Sequence, residues 1–84
     1  MNFLLDWLPE VKENFDALCQ GRSDGGLIKT ICHALEYALR FDPYTSGRFF
    51  HEGLWSIENG PLKFAYEIDG RNRTVTIVAV CRMS

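Results

Sequence analysis

Apolar residues recur along this chain at two spacings, and each spacing predicts one kind of secondary structure. From Pro9 to Cys19, and again from about Gly26 to Phe41, they return every three or four residues, as on one face of a helix. From Leu62 to Asp69 and from Arg73 to Arg82, aromatic and β-branched residues dominate, which is typical of strands. The pattern predicts two amphipathic helices followed by a pair of strands.

Turn-forming and helix-breaking residues delimit the remaining elements near the N-terminus. Phe3 to Trp7 predicts a short first strand, because Pro9 suits the first turn of a helix and does not suit the inside of a strand. The loop QGRSDGG follows the first helix, and Ser23 or Asp24 is positioned to cap the second.

One more strand is predicted after the second helix. Asp42-Pro43 stops the helix, and the segment from Arg48 to Ile57 is rich in aromatic residues, with Gly53 marking a break or a bulge. Asn59-Gly60 then turns the chain back into the two C-terminal strands.

The two C-terminal strands are predicted to form an antiparallel hairpin. With Gly70 and Arg71 in a two-residue turn, Asp69 pairs with Asn72 and Lys63 pairs with Val78. Alternation then divides the side chains between a core face and an open face. We expect the core face to hold Leu62, Phe64, Tyr66, Ile68, Val75, Ile77, Ala79 and Cys81, and the open face to carry both Lys63 and Arg82.

This order of elements predicts one α+β domain over residues 1–84. A short N-terminal strand and a two-helix hairpin precede a three-stranded antiparallel meander, and the helices pack on one face of a four-stranded antiparallel sheet. The other face is open to solvent or to a partner.

Composition limits the kinds of partner. The net charge is −2, and residues 1–42 carry four Lys and Arg against seven Asp and Glu. No basic arm is present, which disfavours strong electrostatic binding of nucleic acid across the whole surface. A small local basic patch is still compatible with this balance.

The cysteines and the N-terminus indicate the compartment. Cys19, Cys32 and Cys81 are odd in number and lie in apolar stripes, which predicts buried free thiols in a reducing cytoplasm. The Cys32-His33 pair has no spaced ligand set around it, so we expect neither a metal nor a cofactor. The start MNFLLDWLPE is too soon interrupted by charge and proline to predict a signal peptide or a membrane span.

Four segments resemble the RelE/ParE superfamily of toxins from bacterial type II toxin–antitoxin modules. They are the Trp7-Leu8-Pro9-Glu10 start of the first helix, the Asp42-Pro43 exit of the second, the strand from Gly60 to Asp69 and the strand from Arg73 to Val80. The resemblance covers nearly the whole chain. It implies the strand, helical hairpin and meander already predicted, and a cognate antitoxin that wraps the toxin.

For activity, the resemblance implies two alternatives. In the superfamily's ribosome-dependent RNases, cations on the open sheet face hold messenger RNA and stabilise charge at the cleaved phosphate, without a metal. Lys63 falls where such members commonly have Arg, and Arg82 falls near their basic C-terminal strand end. His51, beside Glu52, is the candidate for proton transfer.

The ParE branch instead arrests growth by poisoning DNA gyrase. Here the stretch from His51 to Trp55 replaces basic residues expected on the preceding strand, which favours a toxin that acts by binding such a target. Trp55, Lys63 and Arg82 are then candidate partner contacts, although Trp55 is also compatible with core packing. A non-toxic binding module on the same fold is the third hypothesis.

Overall fold

The computed structural model describes residues 2–20 and 25–83, in which one strand is followed by three helices and then by four more strands. In chain order these elements are β1 (Leu4–Trp7), α1 (Pro9–Cys19), α2 (Gly25–Phe41), α3 (Pro43–Ser46), β2 (Arg48–His51), β3 (Leu54–Asn59), β4 (Leu62–Asp69) and β5 (Thr74–Arg82). The two predicted helices are confirmed to within one residue. The predicted cap at Ser23 or Asp24 lies outside the described residues.

The break predicted at Gly53 is a complete turn, which divides the expected strand into β2 and β3. Glu52 and Gly53 both have positive φ, 44° and 83°, as a two-residue primed turn requires. The two strands pair antiparallel, and Phe50 is an extra residue between the pairs Phe49–Trp55 and His51–Leu54. The described chain therefore has one strand more than predicted.

The additional strand also changes the type of sheet. Five strands lie in the order β1-β5-β4-β3-β2, and β1 runs parallel to β5 while the other neighbours are antiparallel. The expectation of a wholly antiparallel sheet was wrong. The turn at Glu52-Gly53 adds one reversal of the chain, and that reversal turns β5 into the direction of β1.

Both long helices pack on one face of this sheet, as predicted, and the α+β fold class is confirmed. Val11 and Phe15 of α1 and Ile28 of α2 meet the sheet in one apolar cluster. Burial of this cluster is the main stabilising term. Its other buried members are Cys32, Leu35, Leu39, Ile57, Leu62, Phe64, Tyr66, Val75 and Ile77.

The hairpin between β4 and β5 has a wider loop than predicted. Asp69 pairs with Thr74, and its Oδ1 accepts the backbone N–H groups of Arg71 at 3.1 Å and Asn72 at 3.2 Å. These bonds stabilise a four-residue loop that ends in Arg73, whose φ is 52°. The predicted pairing of Asp69 with Asn72 was therefore wrong.

A β-bulge further along β5 changes which side chains face the core. Tyr66 pairs with Ile77, whereas Ala65 pairs with Ala79, so Val78 is an extra residue. Beyond Val78 the alternation is inverted, because successive residues of a strand point to opposite faces. The expectation that Ala79 and Cys81 are core residues was therefore wrong; both are exposed, and Val80 packs against the core instead.

The three free cysteines differ in exposure, and the bulge accounts for the exposure of Cys81. Cys32 is buried, Cys19 is half-buried and Cys81 is exposed, so burial of all three thiols was a wrong expectation. Burial, with a smaller contribution from the Glu36 carboxylate, raises the pKa of Cys32 to about 12. At neutral pH this thiol is protonated and shielded, whereas the Cys81 thiol is open to reagents.

We predict that brief iodoacetamide treatment of the native protein modifies Cys81 first and leaves Cys32 unmodified, as read by mass spectrometry of its peptides. The denatured protein is the control, and in it all three cysteines should react. If Cys81 were as protected as Cys32, β5 would lack the bulge.

Candidate functional site

A groove of about 490 Å³ lies at the β2 edge of the sheet. Its lining combines Thr45 and Ser46 of α3 and the following Gly47 with strand residues Arg48, Ser56, Ile57, Glu58 and Lys63. The register assigns Arg48, Ser56, Glu58 and Lys63 to the open face, since their neighbours Ile57 and Phe64 are buried on the helix side. The groove therefore brings charged side chains from three strands together.

Three charges lie in the groove, and the strand pairing explains their proximity. Glu58 pairs directly with Lys63 across β3 and β4, and Arg48 pairs with Ser56, two residues before Glu58. No ion pair joins these three side chains within the described part of the chain. Two cations are thus available to an anionic ligand, and one carboxylate lies beside them.

An exposed aromatic ring adjoins the cationic end of the groove. The Nζ of Lys63 lies 6.0 Å from the ring centroid of Phe50, whose side chain is 58% exposed. The His51 ring contacts the same Phe50 ring, with centroids 4.4 Å apart. Phe50 reaches this position because it is the extra residue of β2.

One wall of the groove, formed by residues 45–47, depends on a buried hydroxyl. Tyr66 is fully buried, and its Oη donates to the carbonyl oxygen of Pro43 at 2.8 Å. Burial raises the pKa of Tyr66 to about 12, so this hydroxyl stays protonated and remains a donor. A Cβ on Gly47 would collide with the same hydroxyl and would lie 2.6 Å from the Ser56 carbonyl oxygen. Tyr66 can therefore hold the chain before β2 only because residue 47 is glycine.

Asp42 caps the start of α3, the short helix that leads into the groove lining. Its Oδ1 accepts the backbone N–H groups of Tyr44 at 3.1 Å and Thr45 at 3.3 Å, which caps α3. Hydrogen bonds from Thr45, and then from Tyr44, lower the pKa of the Asp42 carboxyl. The residues that precede Arg48 are thus held both by the Asp42 cap and by the hydrogen bond from Tyr66.

The structure separates Lys63 from Arg82, which the sequence had placed on one face. Lys63 pairs with Cys81, and Arg82 pairs with the fully buried Leu62 on the helix side. The predicted pairing of Lys63 with Val78 was wrong, because the loop is wider than expected and Val78 is bulged. Lys63 lies in the groove, and Arg82 lies on the opposite face of the sheet.

His51 and Trp55 also lie outside the groove. His51 is on the open face beyond Phe50, at the turn between β2 and β3. Trp55 is half-buried on the helix side, where its ring contacts Tyr44 and Phe49 at centroid distances of 5.7 and 5.5 Å. In this position the Trp55 side chain packs against neighbouring aromatic rings. Its role as a partner contact stays a prediction.

Sequence reasoning missed Arg48 and Glu58 as members of the site. The two-residue turn Gly60-Pro61, with φ of 58° at Gly60, sets Glu58 opposite Lys63, and this pairing follows from the Asn59-Gly60 turn signal. Arg48 reaches the open face only through the separate hairpin of β2 and β3. The sequence predicted a single strand broken at Gly53, and that prediction did not define which residue pairs with Arg48.

No group of three or more His, Cys, Asp and Glu side chains in residues 2–20 and 25–83 is arranged to hold a metal ion. No helix in these ranges is long and apolar enough to cross a membrane.

Comparison by sequence finds no relative. The chain matches no protein-family model, and no curated protein matches its sequence.

Comparison by structure gives full-length matches. A chain of the toxin–antitoxin complex RelBE2 from Mycobacterium tuberculosis superposes with a TM-score of 0.81 at 15% identity, covering 98% of this chain and 99% of that one. A chain of the ParDE toxin–antitoxin system from P. aeruginosa gives 0.73 at 15% identity, covering 98% and 97%. The isolated RelE toxin of E. coli gives 0.70 at 10% identity, covering 98% and 85%. The fold is that of the RelE/ParE toxins, and the fold expected from the resemblance is confirmed.

We predict that Tyr66→Phe lowers the free energy of unfolding by about 1 kcal/mol, because the buried Pro43 carbonyl loses its donor. Gly47→Ala should cost more, about 1–3 kcal/mol, because the added methyl displaces the Tyr66 side chain. Urea denaturation measures both effects.

Tyr37→Phe is the matched control, since Tyr37 is 72% exposed. It should change the stability by less than about 0.5 kcal/mol. Equal stability of Tyr66→Phe and the parent protein would contradict the role given to the Tyr66 hydroxyl.

Proposed function

We propose that this protein is the toxin of a bacterial type II toxin–antitoxin module, acts in the cytoplasm and is neutralised by a cognate antitoxin. The observation that carries the proposal is the superposition over 98% of the chain on members of toxin–antitoxin pairs. The four sequence segments that resemble the same superfamily support it independently.

The groove is the proposed working surface, and its chemistry supports an RNA target best. Attack of a 2′-hydroxyl on the adjacent phosphate needs a base to accept its proton and cations to stabilise charge on the phosphate. The bond to the 5′-oxygen breaks in the same reaction, and this leaving oxygen takes up a proton from an acid. Glu58 is positioned for the first role, and Arg48 and Lys63 for the second. Arg48 thereby takes the role that the resemblance predicted for Arg82, and no metal is required.

The aromatic ring beside the groove gives this alternative a second support. Single-stranded RNA is commonly bound by stacking of unpaired bases on exposed aromatic rings next to cations. Phe50 is exposed beside Lys63, and His51 continues the same surface. In this arrangement His51 either contacts an RNA base or assists proton transfer. The second of these is the role predicted for it from the sequence.

Binding of DNA gyrase stays a prediction. It is supported by the overall charge of −2 and by the presence of only two cations against one carboxylate in the groove. A non-toxic binding module would share the fold and lack both activities.

Induced expression in a bacterial host tests the proposal. We expect growth arrest that is reversed when the protein of a neighbouring short reading frame is co-expressed. Messenger ends that accumulate at codon boundaries on ribosomes indicate RNA cleavage, whereas gyrase-dependent DNA breaks indicate the gyrase target. Unimpaired growth at a verified level of folded protein would contradict the proposed toxin.

Single substitutions test the groove. Arg48→Ala and Lys63→Ala should each lower RNA cleavage on the order of a hundredfold, the cost typical of removing one group that stabilises a transition state. Arg71→Ala is the control, because it removes the same charge from the exposed loop between β4 and β5. Full activity of both groove variants would exclude the groove as the working surface.

A further inference from the structure

The outer face of α2 carries a second apolar stripe, separate from the stripe that packs in the core. Leu27, Tyr37 and Phe41 are 61%, 72% and 59% exposed. With the exposed residues Thr30 and Ala34 between them, they follow the alternating three- and four-residue spacing of a helix-packing seam. The seam extends for about 21 Å along the helix.

The stripe ends at a small cavity. A pocket of about 210 Å³ is lined by Phe3, Phe41, Asp42 and Tyr44, so the last residue of the stripe is also a wall of the cavity. The Asp42 carboxylate is already bonded to backbone N–H groups of α3. The remaining lining is aromatic and suits an apolar side chain, and an apolar side chain buried in a pocket is a typical anchor of an interface.

Two cations, Lys29 and Arg40, are exposed along one flank of α2 beside the stripe, and His33 lies between them. Glu36 is the only acidic residue of α2, and its carboxylate accepts the Trp7 indole N–H at 2.9 Å and lies 3.6 Å from His33 Nδ1. The basic flank therefore contrasts with the protein's net charge of −2.

We propose that this surface binds one amphipathic helix of a partner protein, with apolar residues at heptad spacing flanked by carboxylates. A helix matches the length and spacing of the stripe, and one apolar side chain enters the cavity. The basic flank selects an acidic helix by charge. A second copy of this chain is a poorer match, because antiparallel pairing of two α2 helices sets basic flank against basic flank.

Two synthetic helical peptides test the proposal. Both carry Leu at the two seam positions of each heptad, and the flanking positions are Glu in one and Lys in the other. The Glu peptide should shift the amide NMR signals of α2 and α3 and bind more weakly at high salt. The Lys peptide should bind at least about tenfold more weakly.

Variants locate the site. Tyr37→Lys and Phe41→Ser should each weaken binding of the Glu peptide at least about tenfold, the cost typical of a well-packed anchor. Phe49→Ser is the matched control, since Phe49 is an aromatic of β2 with 61% exposure, and it should leave the affinity unchanged.

Three results would overturn the proposal. They are no binding of the Glu peptide, equal binding of both peptides, and signal shifts confined to the groove. Sedimentation that shows a dimer dispersed by Tyr37→Lys would assign the stripe to a second copy instead. The peptide assay requires no toxicity, so its outcome is independent of the expression experiment.

Discussion

The pairing of β4 with β5 includes one unpaired residue, Val78, and the face on which Arg82 lies relative to Lys63 depends on it. A strand points successive side chains to opposite faces, so one inserted residue inverts everything beyond it. On the N-terminal side of Val78, Val75 and Ile77 are buried under the helices; on the other side, Val80 packs there. The same inversion sends Arg82 to the helix side and leaves Lys63 alone among the basic residues of β4 and β5 in the groove.

The sequence predicted the elements that have local signals. Pro9 and Asp42-Pro43 gave the start of α1 and the end of α2 because proline restricts the backbone around it. The positive φ of Gly53 and Gly60 also has a local signal, because glycine adopts positive φ readily. The bulge could not be predicted, because Ile77, Val78, Ala79 and Val80 are all apolar. Either register buries an apolar side chain, so alternation gives no preference between them.

The candidate site was accessible to prediction only in part. Lys63 was identified, and its partner Glu58 follows from a two-residue turn after Asn59. Arg48 required knowledge that the segment from Arg48 to Ile57 is a hairpin, and the pattern there was compatible with one interrupted strand. The wall held by Tyr66 and Gly47 depends on contacts between residues far apart in the chain, which no local pattern reports.

The groove and the stripe on α2 lie on different elements and have different character. The groove is polar and combines both signs of charge, whereas the stripe is apolar with a basic flank. If the proposed partner helix binds α2, the open face stays accessible, so neutralisation of the proposed groove activity would require a second contact or an extended segment from the same partner. This division is a consequence of a small sheet whose helices cover one face only.

Cross-strand backbone NOEs test the central claim most directly, because they report residue pairing independently of side chains. We predict close contacts between Ala65 and Ala79 and between Tyr66 and Ile77, with Val78 unpaired between them. A regular ladder that pairs Ala65 with Val78 would contradict the account, since Arg82 would then share the open face with Lys63.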